Sequence, residues 1–228
     1  MRERPIRGIV ALRHGGSSKE AVGVDRVVEL SYPFRGRWLV RNSAANHVPS
    51  HGTRLYGTTY AIDFVPVDAD GRSARLTRRA QLRPQPPEEF AGFGRPVLAP
   101  CAGVVVAAHD DERDHDAFRG LPSVVYALSQ QQRAGHGWPG LAGNHVIIRA
   151  GDGVLVALCH LREGSVTVED GQTVDAGQMV GQCGNTGNST EPHLHVQAID
   201  RLDIRDAVGL PITFDGGLPR NGTVVDLP

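Results

Sequence analysis

The chain lacks the marks of several protein classes. Its cysteines are only three, Cys101, Cys159 and Cys183, an odd number with no C-x-x-C pair. That argues against a disulfide framework and fits a reducing compartment. No apolar run is long enough to span a bilayer, so no membrane span is expected. Neither sign of charge dominates: the formal net charge is -1. Nucleic acid and anionic membrane surfaces are therefore not expected partners. Helix-length amphipathic stretches are scarce, and Met1-Arg2-Glu3-Arg4-Pro5 leads into no apolar signal region. As it stands the sequence is expected to be cytoplasmic, or extracellular if a leader has been removed.

What is abundant is turn material. The 28 Gly and 15 Pro among 228 residues, with a hydrophobic content of 40%, point to a soluble all-β protein with many turns. The length suits one domain, allows two, and suffices for a sizeable core. Residues 1–45 are expected to form a β-rich extension on the core. Residues 46–210 form the main domain, and 211–228 a C-terminal tail. Two stretches interrupt the main domain as insertions, about 68–95 and about 109–143. Arg72 to Arg83 in the first and the acidic run Asp110 to Asp116 in the second are expected to be solvated; the acidic run has no EF-hand spacing. Ser123 to Arg133 can hold one short helix.

Short strands fill the rest. Val27–Leu30, Trp38–Val40 and Thr58–Val65 are candidates, as are Val97–Pro100 and Gly103–Ala108 around a turn at Cys101 to Gly103. Asn144–Arg149 and Val154–Leu161 flank Gly151-Asp152-Gly153 and are expected to form a hairpin. Ser165–Val168, Gln172–Val174 and Gln178–Gly181 follow at close spacing.

The chemistry concentrates near the C-terminus, in Glu191-Pro192-His193-Leu194-His195-Val196-Gln197. On a strand, side chains alternate faces. His193, His195 and Gln197 then share one face, while Leu194, Val196 and Ala198 suit the core. Imidazole is the commonest zinc ligand and the usual proton carrier near neutral pH. The preceding stretch, Gly181 to Thr190, is dense in Gly and Asn and delivers the chain abruptly into the His strand. Asp63 stands inside an apolar β run, where a carboxylate needs a partner or a metal. Asp63, His195, a histidine of the 47–51 loop and His160 can together supply a zinc site with a position open to water. His109, His115 and His136 are expected to be solvated and His145 structural. Cys159 is expected in the core, because adjacent strand residues face opposite ways.

Several stretches occur in a familiar order: Pro96-Val97-Leu98-Ala99-Pro100 with Gly103-Val104-Val105; Gly143-Asn144-His145-Val146-Ile147-Ile148; Ala157-Leu158-Cys159-His160-Leu161; Val166 to Val174 with Gly177 to Gly181; and Gly184 to His195. The ordered set resembles the lysostaphin/LytM-type zinc endopeptidases, which cut peptidoglycan. The resemblance implies a mainly antiparallel all-β core with an extended groove for a peptide substrate, to which the residues themselves add the two loop insertions and at most one short helix. It implies one Zn2+ per chain, with Asp63 and His195 as ligands, His193 as general base and His160 as the second catalytic imidazole. One departure stands out. The family's first ligand lies four residues before the Asp, where this chain has Thr59. His51 is the expected replacement, beside Gly52, with His47 the alternative. Without either on the metal, the same fold would serve as a non-catalytic peptide-binding module. A cytoplasmic amide hydrolase on a substrate other than cell wall is a further alternative. Oligomeric state is open.

Overall fold

The computed structural model describes residues 26–75, 77, 82–119 and 137–228. Among them are thirteen strands: β1 Val28–Leu30, β2 Gly36–Arg41, β3 Ile62–Pro66, β4 Pro96–Leu98, β5 Gly103–His109, β6 Asn144–Ala150, β7 Leu155–Leu161, β8 Thr173–Val174, β9 Met179–Gln182, β10 Leu194–Ile199, β11 Gly209–Leu210, β12 Ile212–Phe214 and β13 Val224–Leu227. One short helix, α1, spans Gly137–Ala142, and single 3-10 segments cover Leu55–Tyr60 and Pro87–Glu89. The segment Ser123 to Arg133, where a helix was expected, and His136 lie outside the described residues.

The architecture is all-β around one sheet of nine strands, ordered β13-β2-β3-β10-β7-β6-β5-β8 with β11 on β10. Every pairing in it is antiparallel. The β6–β7 hairpin forms as the Gly-Asp-Gly turn predicts. β4 and β5 go to different partners despite the turn between them: β4 pairs with β9 in a separate ribbon, β5 with β6 and β8. At that turn a Cβ on Gly103 would sit 2.3 Å from the Arg149 carbonyl oxygen, so only glycine lets the chains approach. Ser165–Val168 forms no strand.

One face of the sheet carries the main core. Val40, Ile62, Phe64, Val146, Ile148, Val156, Leu158, Leu194 and Val196 point into it, and Val97 and Val180 from the β4–β9 ribbon close it. Phe34, Phe64 and Trp38 are fully buried, with the Phe34 and Trp38 rings stacked 4.6 Å apart. Burial of each such side chain contributes about 1.5–3 kcal/mol. The other face carries Ile147, Leu155, Ala157, Cys159 and Ile199, covered by Ala142 and Trp138 of α1 and by Ile204 and Ala207.

Residues 211–228, expected as a tail, carry β12 and β13; β12 runs parallel to β1, and β13 closes one edge of the main sheet on β2. The two insertions pack on one another through a buried cluster of Ala74, Phe90 and Ala117, with the Arg119 guanidinium over the Phe90 ring. No helix among the described residues is long and apolar enough to cross a membrane.

Candidate metal centre

β10 and β3 lie side by side with His195 opposite Asp63. Leu194, Val196, Ile62 and Phe64 turn into the main core, so His195 and Asp63 emerge together on the other face. Their side chains meet, His195 Nδ1 lying 2.9 Å from Asp63 Oδ1. The loop before the 3-10 segment Leu55–Tyr60 brings His51 to the same carboxylate, Nε2 being 3.1 Å from Oδ2. His51, Asp63 and His195 each offer one ligand atom, all within 4.8 Å of one another. His47 is exposed. Thr59 is buried, and its carbonyl accepts the Ser50 N–H.

His193 precedes β10, and its Nε2 lies 3.9 Å from Asp63 Oδ1. His160 completes the group, its ring centroid 4.6 Å from that of His193 and 6.0 Å from that of His195. Strict alternation would have kept His160 away. Cys159 pairs with His195 across β7 and β10, so its neighbour should face the core. A β-bulge prevents that. Against β6, Cys159 opposes His145 and Leu161 opposes Asn144, leaving His160 without a partner, in the left-handed region at φ 65°. The alternation resumes after it, with Leu161 in the main core. The extra residue turns His160 toward His193 and His195. Cys159 is buried as expected, but on the histidine side of the sheet.

The second nitrogen of each ring fixes its protonation. The Gln197 side-chain amide donates to the Tyr56 carbonyl at 3.0 Å, which turns its oxygen to accept the His195 Nε2–H at 3.0 Å. The Ser50 hydroxyl donates to the Thr58 carbonyl, so its oxygen accepts from His51 Nδ1–H at 3.0 Å. His193 Nδ1–H donates to the Glu191 carbonyl at 2.8 Å, and His160 Nδ1–H to the Thr186 carbonyl at 2.9 Å. His51 Nε2 and His195 Nδ1 are thereby left with lone pairs aimed at oxygens of one carboxylate. Lone pairs facing an anion at 3 Å call for a cation between them. Two imidazoles and a carboxylate are a donor set that could hold a zinc ion, and the outer ring nitrogens are tied to protein acceptors as those of zinc ligands usually are.

The charges agree. Burial alone would push the Asp63 carboxyl up, but the imidazoles of His51, His193 and His195 around it hold it well below the usual carboxylate range. Burial, then the neighbouring His193 and His195, push the His160 imidazole well below its ordinary value. Asn42 Nδ2 donates to Asp63 Oδ2 at 2.6 Å from the end of β2.

Sequence reasoning assigned no role to Asn42, Ser50, Thr186 or Gln197. Gln197 alone carried a signal, being on the His195 face two residues along. The acidic run is not simply solvated either. Asp110 accepts the backbone N–H groups of Ser165 and Val166, and Asp114 those of Glu163 and Asn185. His145 is buried beside Trp138, its Nδ1–H donating to the Gly143 carbonyl at 2.7 Å. A cavity of about 380 Å3 opens beyond it on the same face, between Trp138, Ile147 and Ile204.

The chain is 43% identical over 79 residues to the peptidoglycan DD-endopeptidase ShyA of Vibrio cholerae serotype O1, a match covering 35% of this chain and 18% of ShyA. It is 38% identical over 101 residues to the glycyl-glycine endopeptidase ALE-1 of Staphylococcus capitis, covering 43% of this chain and 27% of ALE-1. The matches thus span about a quarter or less of these relatives. The solved catalytic domain of lysostaphin from Staphylococcus simulans aligns with 69% of this chain and 86% of that one, at 20% identity and a TM-score of 0.37. Residues 89–205, which include His160, His193 and His195 but not His51 or Asp63, match Peptidase family M23, and the chain belongs to that family.

Proposed function

We propose that this chain is a zinc-dependent endopeptidase that hydrolyses amide bonds in short, small-residue peptides of the peptidoglycan type. The observation that carries the reading is the pair His51 and His195, each with one ring nitrogen tied to a protein acceptor and the other left with a lone pair at the buried Asp63 carboxylate, with the rings of His193 and His160 beside them.

His51 Nε2, His195 Nδ1 and Asp63 would hold the metal. Bound there, zinc supplies Lewis-acid polarisation of the scissile carbonyl and lowers the pKa of water toward about 7. The remaining steps belong to the side chains. His193 Nε2 accepts the proton of the attacking water, since Nδ1–H is committed to the Glu191 carbonyl. The imidazolium so formed, beside Asp63, then hands the proton to the departing amine. Such acid–base assistance is worth about 10²–10⁴ in rate. His160 is held neutral, with its proton on Nδ1. Its Nε2 therefore accepts a hydrogen bond, which suits orienting the water rather than binding an oxyanion. Gln197 keeps His195 in the tautomer that leaves Nδ1 free.

The relatives' names suggest which substrates to try: peptidoglycan, as for ShyA, and glycyl-glycine peptides, as for ALE-1. The test is zinc content of the purified protein, its His51→Ala and His47→Ala variants, and hydrolysis of dye-labelled peptidoglycan and pentaglycine. About one zinc per chain, lost in His51→Ala and kept in His47→Ala, is expected, with hydrolysis lost in His193→Ala. A wild-type chain that takes up no zinc on reconstitution would overturn the reading and favour a binding module on the same fold.

A further inference from the structure

We propose that Asp114, in the second insertion, is a positioning residue that sets the orientation of His160. The inference rests on the peptidase reading only for its kinetic consequence.

His160 is unusual among the four rings. It sits on a bulge with a left-handed backbone, and its tautomer depends on one carbonyl, that of Thr186, in the Gly- and Asn-rich loop before β10. That loop has no strand partners from residue 184 to 190 to hold it. The Gly184 N–H and the Thr186 hydroxyl tie it to the His160 and Leu161 carbonyls and Thr186 Oγ1 accepts the Asn144 N–H, while the 110–118 segment holds it from the outer side. Both Asp114 oxygens accept backbone amides, Oδ1 from Asn185 at 2.5 Å and Oδ2 from Glu163 at 2.9 Å. Glu163 lies three residues after His160, and Asn185 is next to Thr186. One carboxylate therefore bridges the chain leaving His160 to the chain that carries its acceptor.

Neighbouring contacts reinforce the bridge. Asn185 Nδ2 donates to the His115 carbonyl at 2.7 Å, the His115 N–H to the Asn185 carbonyl at 3.3 Å, and the Phe118 N–H to the Thr190 carbonyl at 2.7 Å. The sequence makes room for the bridge. A Cβ on Gly184 would lie 2.4 Å from the Arg162 backbone and 2.7 Å from Asp114 Oδ1. Burial raises the Asp114 pKa despite these hydrogen bonds, so the carboxylate is kept at some cost, as a group with a structural task would be. Asparagine in its place offers one oxygen and an NH2 group facing a backbone N–H, so one of the two arms is lost.

The experiment is Asp114→Asn, read in two ways. In the first, 15N-histidine NMR of the purified protein identifies the His160 ring by its absence in His160→Gln. The wild-type ring should show the neutral form protonated at Nδ1. In Asp114→Asn its two nitrogen shifts should move toward the average of the two tautomers. In the second, hydrolysis of pentaglycine or labelled peptidoglycan should show kcat down at least tenfold, toward the order of 100-fold that an ångström of misplacement costs. KM and zinc content should stay within about twofold. Asp110→Asn, which loosens residues 165 and 166 instead, should leave the His160 spectrum unchanged. If Asp114→Asn does not fold, Asn185→Ala cuts the Nδ2 arm and should move the same readouts less. An unaltered His160 spectrum in a folded variant overturns the proposal, whatever kcat does. A changed spectrum in a protein that hydrolyses nothing upholds the positioning and refutes only the peptidase reading.

Discussion

His145 should make the fold acid-sensitive in a defined window. Burial pushes its pKa down to about 4, with His109 lowering it further and the Gly143 carbonyl and Asp170 only partly opposing. In the unfolded chain the same ring titrates near its ordinary value, about 6.5. Between these values the unfolded state binds a proton that the folded state refuses, so stability falls as pH falls. The contribution is fully present above about pH 6.5 and lost progressively down to about pH 4. Linkage between the two pKa values gives a loss of roughly 2 kcal/mol from pH 7 to pH 5. The assay is urea denaturation at both pH values, with and without chelator, for wild type and His145→Gln. Subtracting the variant removes what the other histidines share. The wild-type chain should lose roughly 2 kcal/mol more than the variant over this interval. Parallel losses in the two proteins would refute the reasoning, showing that His145 is hydrated or that the site opens before it protonates.

Two further outcomes follow from the site. Gln197→Leu removes the acceptor of His195 Nε2–H and leaves the Tyr56 carbonyl without its donor; zinc affinity by chelator competition should fall about 10–100-fold, while Gln197→Glu should retain it. Gly187→Ala places a Cβ 2.4 Å from the Gly143 nitrogen at φ +68°; urea unfolding should register a loss of about 1–3 kcal/mol.

Much of the site was legible because its strands obey a period of two. The apolar partners Leu194, Val196, Ile62 and Phe64 fix which way His195 and Asp63 must point, and that is a sequence property. The choice between His51 and His47 was not, since the loop's path depends on contacts such as Ser50 with Thr58 that no local pattern encodes. His160 was named as one residue that could join a zinc site, but its role as second catalytic imidazole came through the family resemblance alone. Alternation would have put it in the core, and the bulge that re-aims it leaves no mark in Cys159-His160-Leu161. The acidic run misled for a different reason. A row of carboxylates looks hydrated in sequence, and only the fold shows that the unpaired amides of the 163–166 and 185 backbone lie within its reach. Thr59 looked like a missing ligand, and the fold brings a histidine to the carboxylate from elsewhere: His51 lies 12 residues before Asp63 rather than four.

The last strand has a bearing on the metal centre that its distance in sequence conceals. β13 covers β2, β2 is the neighbour of the Asp63 strand, and Asn42 at the end of β2 reaches the Asp63 carboxylate. Just before β13, Asn221 accepts the Ser43 N–H, and the Ser43 hydroxyl donates to the Pro219 carbonyl. The C-terminal segment is thus a splint for the loop that leads to His51. A tag or partner that peels residues 219–227 away would strip the cover from β2 and release that loop together, so the centre could be weakened from an edge where no ligand lies.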